Sequence, residues 1–117
     1  MKLGDCARTV FIDPAKFVDY ALNSAHPTGK HKAQVFLATL GYTAANYNSL
    51  VQQIADQALN AETILQRSDR FGEHLRVNLV VKGVKDQTAV IRTGWLVKTG
   101  EATAQLTTVY VLPGEKP

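Results

Sequence analysis

In His26-Pro27-Thr28-Gly29-Lys30-His31-Lys32-Ala33 the spacing predicts the start of a helix, and three basic side chains, Lys30, His31 and Lys32, crowd its first turn. Free N–H groups and the positive end of the helix dipole attract anions there and make neighbouring cations locally unfavourable. Gly29 carries no Cβ, so a ligand can approach its backbone closely. Gly29, Lys30 and Lys32 together describe a site for a phosphate-sized anion, and His31 beside them has the chemistry of a general base. The competing reading is that these side chains are solvated on a first turn. Helical phase favours Lys32 over His31: His31 lies opposite the Ala33/Phe36/Leu40 stripe, whereas Lys32 sits at its edge and reaches a neighbouring sheet more readily.

A second group of candidates falls on segments that read as strands. Arg92 and Thr93 interrupt an apolar run, and an Arg in such a run is either paired or functional. Thr108 and Tyr110 share one face of the last strand. A guanidinium and hydroxyls on adjacent strands can bind a phosphate and stabilise charge developing on it. The structural alternative is a cross-strand Thr pair, an interfacial Tyr and an Arg92 bridged to an acid. Trp95 alternates with Thr93 and Ile91, so burial against the helices is expected rather than base stacking.

Several chemistries lack a signature. No Gly-rich loop follows a strand, so no nucleotide-phosphate loop is expected. One cysteine (Cys6) and scattered His26, His31 and His74 make no structural zinc pattern, and Asp13, Asp19 and Asp56 suggest no metal cluster. No metal site or cofactor is expected, and Cys6 has no evident activating partner.

The elements that must position these residues follow from periodicity. Arg8 to Ile12 reads as a short extended lead-in. Asp13-Pro14 starts a first helix whose buried residues are Phe17, Val18, Ala21 and Leu22. The second carries Ala33, Phe36, Leu37 and Leu40 and stops at Gly41. The third opens at Tyr42-Thr43, with Thr43 as cap and Tyr42 packed on Tyr47, and buries Leu50, Val51, Ile54, Ala55 and Ala58. From residue 63 the period changes to two. Strands are predicted at Thr63–Arg67, Leu75–Val81, Ala89–Val97 and Gln105–Leu112, and their short links imply antiparallel neighbours. The expected fold class is α+β in one domain spanning residues 1–117. About three N-terminal helices (13–60) should pack on one face of a roughly four-stranded antiparallel sheet (61–112).

Composition sets few further limits. The formal charge of +3 permits a polyanionic partner without demanding one. No apolar run approaches the roughly 20 residues of a membrane helix. None behind Met1 resembles a secretion signal, and a single thiol suits a reducing compartment, so a cytoplasmic protein is expected, with no membrane partner.

At His26-Pro27-x-Gly29-x-His31-Lys32-Ala33-x-x-Phe36-x-x-x-Leu40-Gly41 the chain resembles a bacterial family, the domain of unknown function 6883. Val90-Ile91-Arg92-Thr93-Gly94-Trp95 and Leu106-Thr107-Thr108-Val109-Tyr110-Val111 resemble that family's last strands, and the likeness runs from Ile12 to Leu112. More distantly the chain is similar to bacterial toxin nucleases of the barnase/EndoU/RelE-like class, in which helices precede a four-stranded sheet and a His or Lys faces Arg, Thr and Tyr from the strands. That likeness implies a metal-independent ribonuclease, one half of a toxin–antitoxin or toxin–immunity pair. His31 would be the base, Lys32 and Arg92 the phosphate ligands, and Thr93, Thr108 and Tyr110 the groups that position the phosphate or protonate the leaving oxygen. RNA and a cognate antitoxin or immunity protein are the implied partners. The alternatives are a non-enzymatic module that binds such a partner protein and a domain of purely structural role.

Overall fold

In the computed structural model, which describes residues 1–115, a five-stranded sheet carries two α-helices on one face. The strands are β1 (Thr9–Phe11), β2 (Thr63–Asp69), β3 (Gly72–Lys82), β4 (Thr88–Lys98) and β5 (Thr103–Val111), in spatial order β1-β5-β4-β3-β2. Strands β2 to β5 form the expected antiparallel meander. The alternation Leu75, Val77, Leu79, Val81 on β3 points its apolar side chains toward the helices, as the period of two requires.

Two expectations are corrected. The sheet is mixed rather than antiparallel and has five strands rather than four. Thr9, Val10 and Phe11 pair in parallel with Thr103, Ala104 and Gln105. The partner lies some ninety residues away, so no hairpin signal announces it. The expected three helices become two, α1 (Lys30–Leu40) and α2 (Asn48–Gln57). Asp13 does cap its segment, accepting the Ala15 N–H at 3.0 Å, but the chain then makes only a short π-helical turn, Phe17–Ala21. A run this short gains little from helix formation alone, and what holds it is tertiary: Phe17 and Ala21 are fully buried and Phe17 stacks on Tyr47.

Helix α1 ends where expected, with Gly41 in the left-handed region (φ 79°). Helix α2 begins later than Thr43 suggested. Thr43 and Asn46 instead bond to each other in the connecting turn, and Tyr42 turns into the core rather than onto Tyr47. Its hydroxyl donates to the Lys82 carbonyl at 2.5 Å. Gln53 on α2 accepts the Lys82 N–H at 2.7 Å and donates to the Lys82 carbonyl at 2.9 Å, which pins α2 to the end of β3.

The core lies between helices and sheet. Phe36, Leu40, Leu50 and Ile54 are sealed against Val77, Ile91, Val109 and Trp95, which is 1% exposed. Leu37, expected in that core, is 55% exposed because α1 turns its other side to the sheet. The opposite sheet face bears no helix and carries Arg76, Asn78, Arg92 and Tyr110.

Candidate functional site

Strand β1 covers β5 only from Thr103 to Gln105, so the rest of β5 has no strand on that side. Helix α1 and the π-helical turn approach this open stretch instead. Lys32, on the first turn of α1, extends its ammonium to it, 4.8 Å from the centroid of the Tyr20 ring and 5.3 Å from that of Tyr110. The same nitrogen donates to the Tyr20 hydroxyl at 3.5 Å. A cation between two aromatic faces is stabilised by their quadrupoles, and here it is also oriented, because Tyr20 and Tyr110 come from different elements.

Two hollows flank this cation. One, of about 220 Å³, is lined by His31, Lys32, Val35, Tyr110 and Val111. The other, of about 440 Å³, is lined by Asp13, Ala15, Lys16, Tyr20, Thr107 and Thr108. Thr107 and Thr108 both reach the second hollow because β5 bulges there. Thr108 faces Gly94 and Leu106 faces Trp95, leaving Thr107 as the extra residue. Such bulges re-aim side chains at the edges of sheets. Gly94 is part of the arrangement, since a Cβ there would strike the Thr108 hydroxyl.

Of the residues singled out in the sequence, His31, Lys32 and Tyr110 line one hollow and Thr108 lines the next. Arg92 stands opposite Tyr110 one strand in, and its Nε donates to Asn78 Oδ1 at 3.1 Å rather than to an acid. Among the described residues, Lys16, Lys30, Lys32 and Arg92 have no carboxylate within 4.0 Å. Thr93 is elsewhere. It is fully buried on the helix-facing side of β4, donates to the Val77 carbonyl at 2.8 Å and accepts the Trp95 indole N–H at 2.8 Å.

The turn that leads into α1 is closed by the chain itself. His26 Nδ1 accepts the N–H groups of Thr28 at 3.1 Å and Gly29 at 3.0 Å, and the His26 carbonyl accepts that of Lys30 at 3.1 Å. Gly29 is buried against the Tyr20 carbonyl, which a Cβ at position 29 would strike. The close approach that Gly29 permits is therefore to Tyr20. The cations at positions 30 and 32 remain available to an anion.

Tyr20, Lys16 and Thr107 escaped the sequence reading. Tyr20 lies off the apolar stripe of its segment, and only the packing of Gly29 on its carbonyl brings it to Lys32. The Thr28 hydroxyl, and then the Lys32 ammonium through both hydrogen bonding and charge, hold the Tyr20 phenol below its ordinary pKa. The hydroxyl is thus a better proton donor than an isolated tyrosine.

A second polar cluster closes the β2–β3 turn. Asp69 accepts the Phe71 N–H at 2.9 Å and pairs with His74 Nε2 at 2.9 Å. Partial burial on its own would raise the Asp69 pKa, but the bonds from Phe71, His74 and Gly72 outweigh it and the net shift is downward. These bonds account for the cluster as a turn lock. Among the described residues no three His, Cys, Asp or Glu side chains come together as metal ligands, and no helix is long and apolar enough to cross a membrane.

The family described as "Domain of unknown function (DUF6883)" matches residues 2–113. The chain belongs to that family. The match takes in β1 through β5, so both hollows lie within the DUF6883 domain. No curated protein and no solved structure matches the chain. Chemically, the two hollows together offer the ammonium groups of Lys16 and Lys32, the Asp13 carboxylate, four hydroxyls and an imidazole.

Proposed function

We propose that this domain is a metal-independent ribonuclease-like module acting in the cytoplasm as the toxin half of a toxin–antitoxin or toxin–immunity pair. The observation that carries the reading is the Lys32 ammonium, held between Tyr20 and Tyr110 beside His31 and without a carboxylate partner among the described residues. In the proposed reaction His31 takes the proton of the ribose 2′-hydroxyl, and the 2′-oxygen forms a bond to phosphorus. The bond from phosphorus to the 5′-oxygen breaks, and that oxygen takes its proton from a tyrosine hydroxyl. A 2′,3′-cyclic phosphate and a free 5′-hydroxyl result. Lys32 carries the charge that builds on the phosphoryl oxygens, Arg92 adds to it from the next strand, and Thr108 orients the diester. Tyr20 is held below its ordinary pKa by the Thr28 hydroxyl and the Lys32 ammonium, which suits it to that role.

The test is cleavage of single-stranded RNA in EDTA. Wild type should cut, and His31→Ala should lower the rate by about 10²–10⁴, the usual contribution of a general base. Lys32→Met and Arg92→Ala should lose activity while remaining folded, and Tyr110→Phe separates the ring from its hydroxyl. Folded wild-type protein that cuts no RNA would remove the enzymatic reading.

One observation favours a second reading, a non-enzymatic module that binds a partner protein. Strand β2 is a sheet edge that exposes Ile64 (56%) and Leu65 (43%), and the turn after it exposes Phe71. An added strand would pair with such an edge. That reading gains if the folded protein binds a cognate partner through β2 and leaves RNA intact.

A further inference from the structure

His26 is absent from the chemistry proposed above, yet it touches both the turn that leads into α1 and the Tyr20 ring. Its Nδ1 accepts two backbone N–H groups, from Thr28 and Gly29. An imidazole nitrogen can accept them only when it carries no proton, so this pair of bonds requires the tautomer with its hydrogen on Nε2. The same ring meets Tyr20 edge-on, with centroids 4.8 Å apart and planes at 79°. Tyr20 in turn bonds the Lys32 ammonium. One side chain thus fixes the start of α1, which carries Lys32, and the ring on which Lys32 rests.

We propose that His26 is a positioning residue: as the neutral Nε2–H tautomer it closes the turn that leads into α1 and braces Tyr20, and so holds the Lys32 ammonium beside the rings. The proposal rests on the cleft assigned above as the functional site, but its geometry does not depend on what the cleft binds. A proton on Nδ1 would set N–H against N–H at both backbone contacts and release the turn. The helix start would loosen, Tyr20 would lose its brace, and Lys32 would leave its place between the rings. The elements meeting the ring carry Asp19 and Tyr20 on the π-helical turn and Lys30, His31 and Lys32 on α1. Tyr20 is the one in ring contact. Any RNA chemistry in the cleft would then be confined to the pH range in which His26 is neutral.

The signature is spectroscopic. The Lys32 side-chain methylene protons lie near two aromatic rings, whose currents displace their NMR resonances from the ordinary lysine position. On acidifying folded wild-type protein, that displacement should collapse with the same midpoint as the His26 ring titration. His26→Ala should lose it at all pH values. His26→Asn places an amide oxygen where Nδ1 stood, which restores the contacts to the turn without a titrating ring. The displacement should return at least in part and no longer depend on pH in the imidazole range. RNA cleavage, where present, should fall in His26→Ala and recover in His26→Asn alongside the Lys32 signal. A Lys32 signal unchanged in folded His26→Ala, or one that titrates in wild type with a midpoint unrelated to His26, would overturn the proposal. The wild-type titration decides even if His26→Ala fails to fold. An intact His26–Lys32 coupling in a protein that cuts no RNA would overturn the ribonuclease reading alone.

Discussion

Replacing Thr93 by Val preserves the shape of a fully buried side chain and removes one oxygen. That oxygen holds two 2.8 Å hydrogen bonds, one donated to the Val77 carbonyl and one accepted from the Trp95 indole. Trp95 is 1% exposed, so its N–H would be left in the core with no water to take it. An orphaned buried donor costs about 1–3 kcal/mol, and the lost bond to Val77 adds about 1 kcal/mol. The expected loss is about 2–4 kcal/mol. At a shift of about 3–5 °C per kcal/mol for a domain this size, the melting temperature should fall by about 6–20 °C. Trp95→Phe removes the indole N–H in advance, so in that background Thr93→Val should cost about 1–2 kcal/mol less, the coupling expected of residues in direct contact. Calorimetry on the four proteins of this cycle gives both numbers. RNA cleavage below the melting transition should be unchanged by Thr93→Val, because Thr93 faces the helices rather than the cleft. A melting shift under about 2 °C would refute the hydrogen-bond argument. Loss of cleavage in a folded Thr93→Val protein would refute the placement.

Trp95→Ala should cost about 3–5 kcal/mol by emptying the centre of the core, measurable by denaturant unfolding. Gly29→Ala drives a Cβ into the Tyr20 carbonyl; the strain should lower stability by about 1–3 kcal/mol and weaken RNA cleavage at temperatures where the protein is folded. The Asp69 carboxyl is held below its ordinary value in the folded chain. Its contribution is therefore complete above the unfolded pKa, about 3.9, and is lost as pH falls through the lower folded value. The difference in melting temperature between wild type and Asp69→Asn should accordingly shrink as the pH is taken from 5 toward 2, with wild type the more stable at the higher pH.

The sequence was most legible where one face alone is buried. Leu75, Val77, Leu79 and Val81 are core because a half-buried strand leaves no other pattern, and Gly41 ends α1 because few residues accept its φ. Lys32 was placed better than His31 by helical phase alone, and it is Lys32 that meets the strand tyrosine. Three things were out of reach. The pairing of Thr9–Phe11 with β5 depends on a partner far along the chain. Thr93 looked like a polar intruder because a hydroxyl that serves a buried indole reads the same as one that serves a ligand. Tyr20 joined the cleft through a backbone contact at Gly29, which leaves no periodicity behind.

The parallel join between β1 and β5 also sets an order of events during synthesis. Lys16 and Tyr20 follow the first strand, while Thr107, Thr108 and Tyr110 belong to the last. Contacts across most of the chain form late, because the loop they close is long. A nascent chain that has emerged through β4 can hold its helices against three strands, yet it has no cleft, since one wall has not been made. The hollows are completed only when β5 joins the sheet, so under the proposed reading a chain that lacks β5 has no site to act with.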